Sequence, residues 1–176
     1  MATQESNWHI GYIDPFWDNS HRDLVYESEP FNNSSDLDAW RAQGYTNESI
    51  GGALCDMRKP QAWYTDQLTQ MFTNIYGLHN VGTSFFRMDT GFILPTHKDT
   101  YKKYREIFNV EVKDIQRIIV FLEHWKPGHY FEIEGIPIVS WKRGDYIWWR
   151  GDADHMAANL GLDPRYTLQV TGHDGL

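Results

Sequence analysis

The part of the sequence that follows Gly77 is a series of short, strand-like runs separated by turns. Each run is rich in branched or aromatic residues, and Gly, Pro, Asp or Lys residues separate the runs. Many short strands with frequent turns indicate a barrel or a jelly roll. The runs are residues 83–88, 92–96, 116–125, 130–133, 136–139, 146–149 and 166–171.

Residues 1–77 are expected to support this sheet with irregular and helical structure. The stretch up to about Ser35 is aromatic without a regular period, so we expect it to pack across the core or overhang a site. Ser35 and Asp36 favour the start of a short helix that ends near Gly44. The 176 residues suffice for one domain, 1–176, with residues 78–176 as its core.

The clearest helical pattern covers residues 61–76, between Pro60 and Gly77. Proline favours the first turn of a helix, and glycine commonly follows the last. The apolar residues of this segment form one stripe, which predicts packing against a face of the sheet: Ala62, Trp63, Leu68, Met71, Phe72 and Ile75. A brief helix or ordered loop is also expected at residues 100–108.

His97 and Asp99 are two residues apart at the end of the strand-like run 92–96. Side chains at i and i+2 of an extended segment share a face, so this imidazole and carboxylate can converge on one metal ion. His155 is the best candidate for a third ligand. Two histidines and one carboxylate leave adjacent coordination positions open, as is typical of non-haem Fe(II) oxygenases. A structural zinc site is disfavoured, because Cys55 is the only cysteine.

Arg165 follows His155 by ten residues, and Thr167 lies two residues further on the same strand face. A guanidinium beside a hydroxyl suits the far carboxylate of a dicarboxylic acid. The alternative for Arg165 is a surface ion pair with Asp163. For His97, the alternative is a surface or hydrogen-bonded histidine.

Four further histidines are weaker candidates for metal ligands. His9 and His21 are interpreted as structural or exposed. His124 and His129 are rival ligands, but neither has an Asp or Glu two positions away that would complete a comparable pair.

With these residues in this order, the sequence resembles the 2-oxoglutarate- and Fe(II)-dependent dioxygenases over about residues 84–172. The matching residues are His97, Asp99, His155, Arg165 and Thr167. The resemblance implies a mainly β fold with flanking helices, the double-stranded β-helix, which is a cupin-like jelly roll. It also implies that the first three residues bind Fe(II), that Arg165 and Thr167 anchor 2-oxoglutarate, and that O2 is a cosubstrate.

Within this superfamily, the sequence is most similar to the aspartyl/asparaginyl β-hydroxylases and to small hydroxylases of phages and bacteria. Residues 94–97, 117–122 and 141–145 support this likeness. An arginine at the position of Arg117 contributes to the cosubstrate or substrate pocket in that branch, although a strand-end salt bridge would also explain it. The animal enzymes of the branch lack the carboxylate that Asp99 provides. Asp99 also argues against a halogenase, since family halogenases vacate this position for chloride.

The resemblance implies an enzyme that hydroxylates an amino acid, a peptidyl residue or a small metabolite and releases succinate and CO2. We assign no catalytic side chain, because this chemistry requires no general base from the protein. One alternative is a cupin-like metal-binding or non-catalytic small-molecule binding module. Another is a metal-assisted hydrolase.

The formal net charge of −8 disfavours nucleic acids and anionic membranes as partners. The sequence has no apolar stretch long enough to span a bilayer and no signal-peptide pattern at its start. The single cysteine permits no intrachain disulfide, so we expect a cytoplasmic protein. The short chain shows no evident recognition domain, so we expect a small-molecule or peptide substrate. Lys102, Lys103 and Arg105 either attract an acidic substrate or form a solvated face.

Overall fold

The computed structural model describes residues 7–29, 31, 33–55 and 62–175 of the chain. Eleven strands and three α-helices lie in these ranges. The strands are β1 (Trp8–Tyr12), β2 (Tyr26–Glu29), β3 (Gly52–Cys55), β4 (His79–Met88), β5 (Ile93–His97), β6 (Ile115–Phe121), β7 (His129–Ile133), β8 (Ile136–Ile138), β9 (Asp145–Arg150), β10 (His155–Asn159) and β11 (Arg165–His173). The helices are α1 (Ser34–Ala42), α2 (Thr65–Tyr76) and α3 (Lys102–Phe108).

The strands form two antiparallel sheets that pack on each other. The larger sheet has seven strands in the order β1-β9-β6-β11-β4-β3-β2, and the smaller has four in the order β5-β10-β7-β8. Strands that are distant in sequence are neighbours in each sheet, as in a jelly roll. The predicted fold, a double-stranded β-helix with flanking helices, is therefore confirmed.

Two apolar cores lie on the two faces of the larger sheet. Successive side chains of a strand point to opposite faces, and β6 shows this alternation clearly. Ile119 and Phe121 pack between the two sheets, whereas Ile118 and Val120 pack in the outer core. The outer core also includes two fully buried residues of α2, Leu68 and Phe72.

Helix α2 lies within the predicted segment but starts later. The predicted start, Gln61, lies outside the described residues, as does Pro60. The helix begins at Thr65, whose backbone N–H and hydroxyl both bond to the carbonyl of Ala62, at 3.1 and 2.8 Å. These bonds close a tight turn before the first helical residue. As predicted, α2 stops at Gly77, whose φ of +64° lies in the left-handed region that glycine adopts without steric cost.

The buried apolar stripe of α2 is shorter than the sequence predicts, because residues at both of its ends are exposed. Trp63 lies before the helix and is 59% exposed, and Ile75 in the last turn is 53% exposed. The indole of Trp63 instead donates a hydrogen bond to Asp18 at 3.0 Å. The middle turns of α2 therefore make its contact with the sheet.

Residues 1–77 contribute more β-structure than expected. Strands β1, β2 and β3 extend the larger sheet at its two edges, since β1 pairs with β9 and β3 joins β2 to β4. Most residues of β1 are exposed, so its sequence lacks the apolar alternation of a strand that faces a core. The division of the chain at residue 77, and its reading as one domain, stay predictions.

Other element bounds also differ from the sequence pattern. β4 begins at His79, before the run at residues 83–88, and β6 ends at Phe121. The pattern does not predict β10, which contains Ala157 and Ala158, because alanine is depleted in strands. Both alanines are buried where β10 packs between β5 and β7.

In the described ranges, we find no helix with the length and apolar character needed to cross a membrane.

Candidate metal centre

His97 and His155 are directly opposite each other on neighbouring strands of the smaller sheet. β10 pairs with β5 in a register that places His155 against His97, with ring centroids 4.3 Å apart. Asp99 follows the end of β5 by two residues. One ligand-capable atom from each of these residues lies within 4.8 Å of the others. Across the described ranges, no other group of three His, Cys, Asp or Glu residues has this geometry.

Backbone carbonyls orient both imidazoles. Nδ1 of His97 lies 2.7 Å from the carbonyl oxygen of Pro95, and Nδ1 of His155 lies 2.9 Å from that of Ala153. A carbonyl oxygen can only accept, so each Nδ1 donates and each Nε2 keeps a lone pair, the arrangement usual for metal-binding histidines. Burial lowers the pKa of His155 to about 4, so this ring is neutral at pH 7.

Arg117 holds one carboxylate oxygen of Asp99. Its Nε and Nη2 donate to Oδ2 at 3.1 and 3.0 Å, and its Nη1 donates to the hydroxyl of Thr171 at 2.6 Å. The ring of Tyr101 lies 5.6 Å from the guanidinium. Burial alone would raise the pKa of Asp99, but the charge of Arg117, the nearby His155 and His97, and the hydrogen bonds from Arg117 together outweigh burial and lower the pKa to about 2. Asp99 is therefore ionised at neutral pH, and Arg117 bonds only to its Oδ2.

A cavity of about 350 Å³ lies between the two sheets, next to these three side chains. Trp149 forms part of its wall, with its ring centroid 5.0 Å from that of His155. The rest of the wall combines apolar side chains with a few polar ones, as is usual for a small-molecule site. It includes Leu54, Ser84, Phe86, Leu94, Arg117, Ile119, Phe131, Ala157, Arg165, Thr167 and Gln169.

Arg165 is a buried cation on the wall of this cavity, and no described carboxylate lies within ion-pair distance of it. Its side chain donates from Nη1 to the carbonyl of Tyr130 at 3.1 Å, while its Nε has no hydrogen-bond partner. Burial lowers the pKa of Arg165 to about 10. The alternative ion pair with Asp163 is absent, because Asp163 accepts from Lys126 at 3.2 Å instead. A buried guanidinium with an unused donor fits the binding of an anion.

One face of β11 supplies four polar residues at alternate positions: Arg165, Thr167, Gln169 and Thr171. Leu168 and Val170 point the other way, into the outer core. Only Arg165 and Thr167 were predicted from the sequence; Gln169 and Thr171 were not. The same two-residue period, continued along the strand, would have identified both.

Two aromatic residues from the N-terminal part of the chain pack against His97. The ring of Phe31 lies 5.1 Å from the imidazole and that of Trp40 lies 5.8 Å from it, both in edge orientation. Phe31 belongs to the aromatic stretch that was expected to pack across the core or overhang a site, whereas Trp40 lies on α1. Phe31 and Trp40 in particular were not predictable from the sequence, because neither belongs to a periodic pattern near the metal-binding motif.

The remaining candidate histidines have structural partners and lie outside the metal-binding group. His129 bonds through Nε2 to the carbonyl of Asp163 at 2.9 Å, and His124 accepts from the backbone of Arg143 at 3.3 Å. His21 is fully buried and bonds through its two ring nitrogens to Tyr64 and Glu123, each at 2.9 Å. His9 bonds to the hydroxyl of Tyr76 at 2.9 Å.

The sequence matches no protein-family model and no curated protein. Solved structures do match the fold. A Pseudomonas putida prolyl-4-hydroxylase superposes with a TM-score of 0.57 at 16% identity, over 98% of this chain and 95% of that chain. An oxidoreductase of the 2OG-Fe(II) oxygenase family from Burkholderia pseudomallei gives a TM-score of 0.59 at 13% identity, over 97% of this chain and 88% of that chain.

A viral collagen prolyl hydroxylase from Paramecium bursaria Chlorella virus-1, in its 2OG complex, gives a TM-score of 0.54 at 12% identity, over 96% of this chain and 97% of that chain. The chain has the fold of these oxygenases. Each of the three superpositions covers nearly the whole of this chain. The predicted likeness to the aspartyl/asparaginyl branch stays a prediction.

Proposed function

We propose that the protein is an Fe(II)- and 2-oxoglutarate-dependent dioxygenase that hydroxylates its substrate. The observation that supports this most strongly is that His97, Asp99 and His155 converge beside a cavity that also holds the buried, incompletely bonded Arg165. Two imidazoles and one carboxylate are the donors that non-haem iron uses when adjacent positions must stay open. A structural zinc site would need a fourth ligand, and the described residues offer none within this group.

In this proposal, Arg165 and Thr167 bind the far carboxylate of 2-oxoglutarate. Both are buried on the cavity wall, and the unused Nε of Arg165 supplies a donor for a charge-assisted hydrogen bond. Arg117 acts differently, since its nitrogens already bind Asp99 and Thr171. We therefore propose that Arg117 orients the carboxylate ligand.

When bound, the iron and its cosubstrates supply the oxidising chemistry, in which O2 and 2-oxoglutarate yield succinate, CO2 and a hydroxylated product. The protein contributes position and environment. His97 and His155 are held by backbone carbonyls, and Asp99 is held by Arg117. The apolar wall, which includes Trp149, limits the access of water to the site.

For the substrate, we propose a side chain of an amino acid or peptide. Two of the structures with the same fold are a prolyl-4-hydroxylase and a collagen prolyl hydroxylase, which makes a peptidyl prolyl residue the first candidate to test. Aspartyl and asparaginyl residues, expected from the sequence resemblance, are the next candidates.

The proposed activity is tested by incubating the protein with Fe(II), 2-oxoglutarate, O2 and a pool of amino acids and short peptides. We expect succinate to form together with a product that is heavier by one oxygen atom. Asp99→Ala should abolish both signals while the circular dichroism spectrum is unchanged. Asp38→Ala, at a carboxylate whose side chain is 75% exposed on α1, is the matched control and should retain them.

Two results would contradict the proposal. If succinate formation does not require Fe(II), or if Asp99→Ala retains it, the three residues are not the metal centre of this reaction. If the protein binds a divalent metal through these residues but forms no succinate with any substrate in the pool, the cupin-like binding module is the better description.

A further inference from the structure

A second, wider groove opens next to the candidate site. It has a volume of about 1050 Å³, against about 350 Å³ for the cavity between the sheets. Most of its walls come from α3 with the segment before it, from the start of α1 and from the middle of β4, and single residues of β6 and β11 complete them. The residues that form these walls include Asn33, Ser34, Gly82, Thr83, Lys98, Thr100, Tyr101 and Tyr104.

The groove is continuous with the cavity. Phe31, Ser84, Asp99 and Arg117 line both, so a molecule in the groove extends directly to the candidate metal ligands. A cavity of about 350 Å³ is near the lower end of the range for small-molecule sites, about 300 to 1,000 Å³, so a cosubstrate and one reacting side chain occupy most of it. The groove provides additional room for the rest of a larger substrate.

The groove is positively charged although the chain as a whole is acidic. Five cationic side chains line it, against the two carboxylates of Asp99 and Glu106. Asp99 is already paired with Arg117, and Lys98 is paired with Asp152 at 3.4 Å. The other three cations are Lys102, Lys103 and Arg105.

These three side chains are exposed on α3, and within the described ranges none of them lies in ion-pair distance of a carboxylate. In a chain with a net charge of −8, three unpaired cations on one groove form a local field of opposite sign. A cleft lined by one sign of charge concentrates ligands of the other sign. The unpaired cations favour ligand attraction, one of the two alternatives for Lys102, Lys103 and Arg105, which stays a prediction.

We propose that this groove binds an acidic peptide, so that the residue to be hydroxylated lies in the cavity and neighbouring Asp or Glu residues contact Lys102, Lys103 and Arg105. The inference rests on the proposed function for the identity of the reaction. The size of the groove favours a peptide over a free amino acid. A nucleic acid carries dense negative charge along its whole backbone, so the acidic surface outside the groove would repel it. The net charge of the chain therefore favours a short acidic peptide over a nucleic acid.

The test measures binding by fluorescence polarisation, separately from turnover. The probes are a fluorescein-labelled pool of Glu-Glu-Xaa-Glu-Glu peptides, in which Xaa is each common residue in turn, and a matched Gln-Gln-Xaa-Gln-Gln pool. We expect the Glu pool to bind more tightly, and its advantage to shrink as salt is added, because exposed charges are screened.

The variant Lys102→Gln/Lys103→Gln should weaken binding of the Glu pool by about tenfold, the combined effect of two exposed ion pairs. The control Lys113→Gln/Lys142→Gln removes the same charge from exposed residues outside the groove and should leave binding unchanged. Equal binding of the two pools, equal weakening by the two double variants, or tighter binding of a labelled single-stranded oligonucleotide would overturn the inference.

Succinate release, measured on the same preparations, separates the two proposals. A protein that releases succinate but does not distinguish the pools retains the proposed function and loses the acidic-peptide groove. A protein that binds the Glu pool through Lys102 and Lys103 but releases no succinate with Fe(II), 2-oxoglutarate and O2 has the groove without the proposed reaction.

Discussion

Arg117 binds Asp99 through two nitrogens, with Nε 3.1 Å and Nη2 3.0 Å from the same carboxylate oxygen. The third nitrogen of the guanidinium bonds to Thr171, and β11 holds Thr171 directly opposite Arg117 in the larger sheet. A carboxylate that follows the end of a strand is thus fixed by a residue from the other sheet. This relationship makes the orientation of one candidate metal ligand depend on the packing of both sheets.

The first prediction concerns Arg117. We expect Arg117→Gln to weaken metal binding by about tenfold to a hundredfold, because groups that hold a metal ligand contribute to affinity on this scale. Arg117→Lys keeps the charge but cannot donate two bonds from a planar group, so its effect should be intermediate. Calorimetric titration with Fe(II) or Mn(II) without oxygen measures both effects.

Arg41→Gln, at an exposed arginine on α1, is the control and should bind metal normally. A different outcome would contradict this role of Arg117. If metal affinity is unchanged in Arg117→Gln and only the affinity for 2-oxoglutarate falls, Arg117 contacts the cosubstrate, as the sequence resemblance implies.

The second prediction compares two residues of the α2 stripe. Phe72 is fully buried against the larger sheet, so Phe72→Ala should lower the free energy of unfolding by about 3–5 kcal/mol. Ile75 belongs to the same sequence stripe but is 53% exposed, so Ile75→Ala should cost about 0.5 kcal/mol or less. Urea unfolding measures both values. Equal costs would mean that α2 packs along its whole length, as the sequence pattern alone suggests.

The regular parts of the fold were predictable because their sequence periods are determined by burial. Residues 118–121 on β6 alternate between two cores, and a buried strand of this kind is recognised from composition alone. β10 was not predictable in this way. His155 precedes alanines whose burial depends on the strands on either side, and such tertiary context is absent from local sequence.

The candidate site also combines residues that were predictable from local spacing with residues that were not. The spacing of His97 and Asp99 indicated a shared face, and the structure brings both of them to His155. The roles of the residues around them depend on contacts between distant segments. Arg117 reaches Asp99 across 18 sequence positions and Thr171 across 54, and no local pattern encodes such a pairing.

The third prediction concerns the pH dependence of stability. Burial would raise the pKa of Glu123, but hydrogen bonds from His21 and Arg22 outweigh burial and lower it from 4.5 to about 2. A carboxylate with a lowered folded-state pKa stabilises the protein above its unfolded-state pKa, and this contribution is lost as the pH falls from about 4.5 to about 2. At about 1.4 kcal/mol per pKa unit, we expect Glu123 to contribute about 3 kcal/mol in this way.

Glu123→Gln should therefore lower the free energy of unfolding at about pH 6 and flatten its decrease towards about pH 3, as measured by urea unfolding at several pH values. Glu111→Gln changes a carboxylate whose side chain is 73% exposed and should reproduce the slope of the unaltered protein. If the slopes of all three proteins coincide, the contacts of Glu123 with His21 and Arg22 do not stabilise the folded state.

The fourth prediction concerns Arg165, which should destabilise the ligand-free protein and strengthen the binding of 2-oxoglutarate. Its guanidinium is buried, makes one hydrogen bond to Tyr130 and has no described carboxylate within ion-pair distance, so it weakens the ligand-free protein. Arg165→Met replaces it with an apolar side chain of similar length. We expect the variant without ligand to be at least as stable as the unaltered protein, because the cost of burying an unpaired charge is removed.

The same substitution should reduce the stabilisation that 2-oxoglutarate gives. A charge-assisted hydrogen bond contributes about 1.5–3 kcal/mol, so the affinity for 2-oxoglutarate should fall by at least about tenfold. Thermal unfolding of metal-loaded protein with and without 2-oxoglutarate measures both effects in one experiment. If Arg165 is purely structural, Arg165→Met should be less stable than the unaltered protein in the absence of ligand. Its unfolding temperature should then rise as much on adding 2-oxoglutarate as that of the unaltered protein, because the contacts of Arg165 would not involve the ligand.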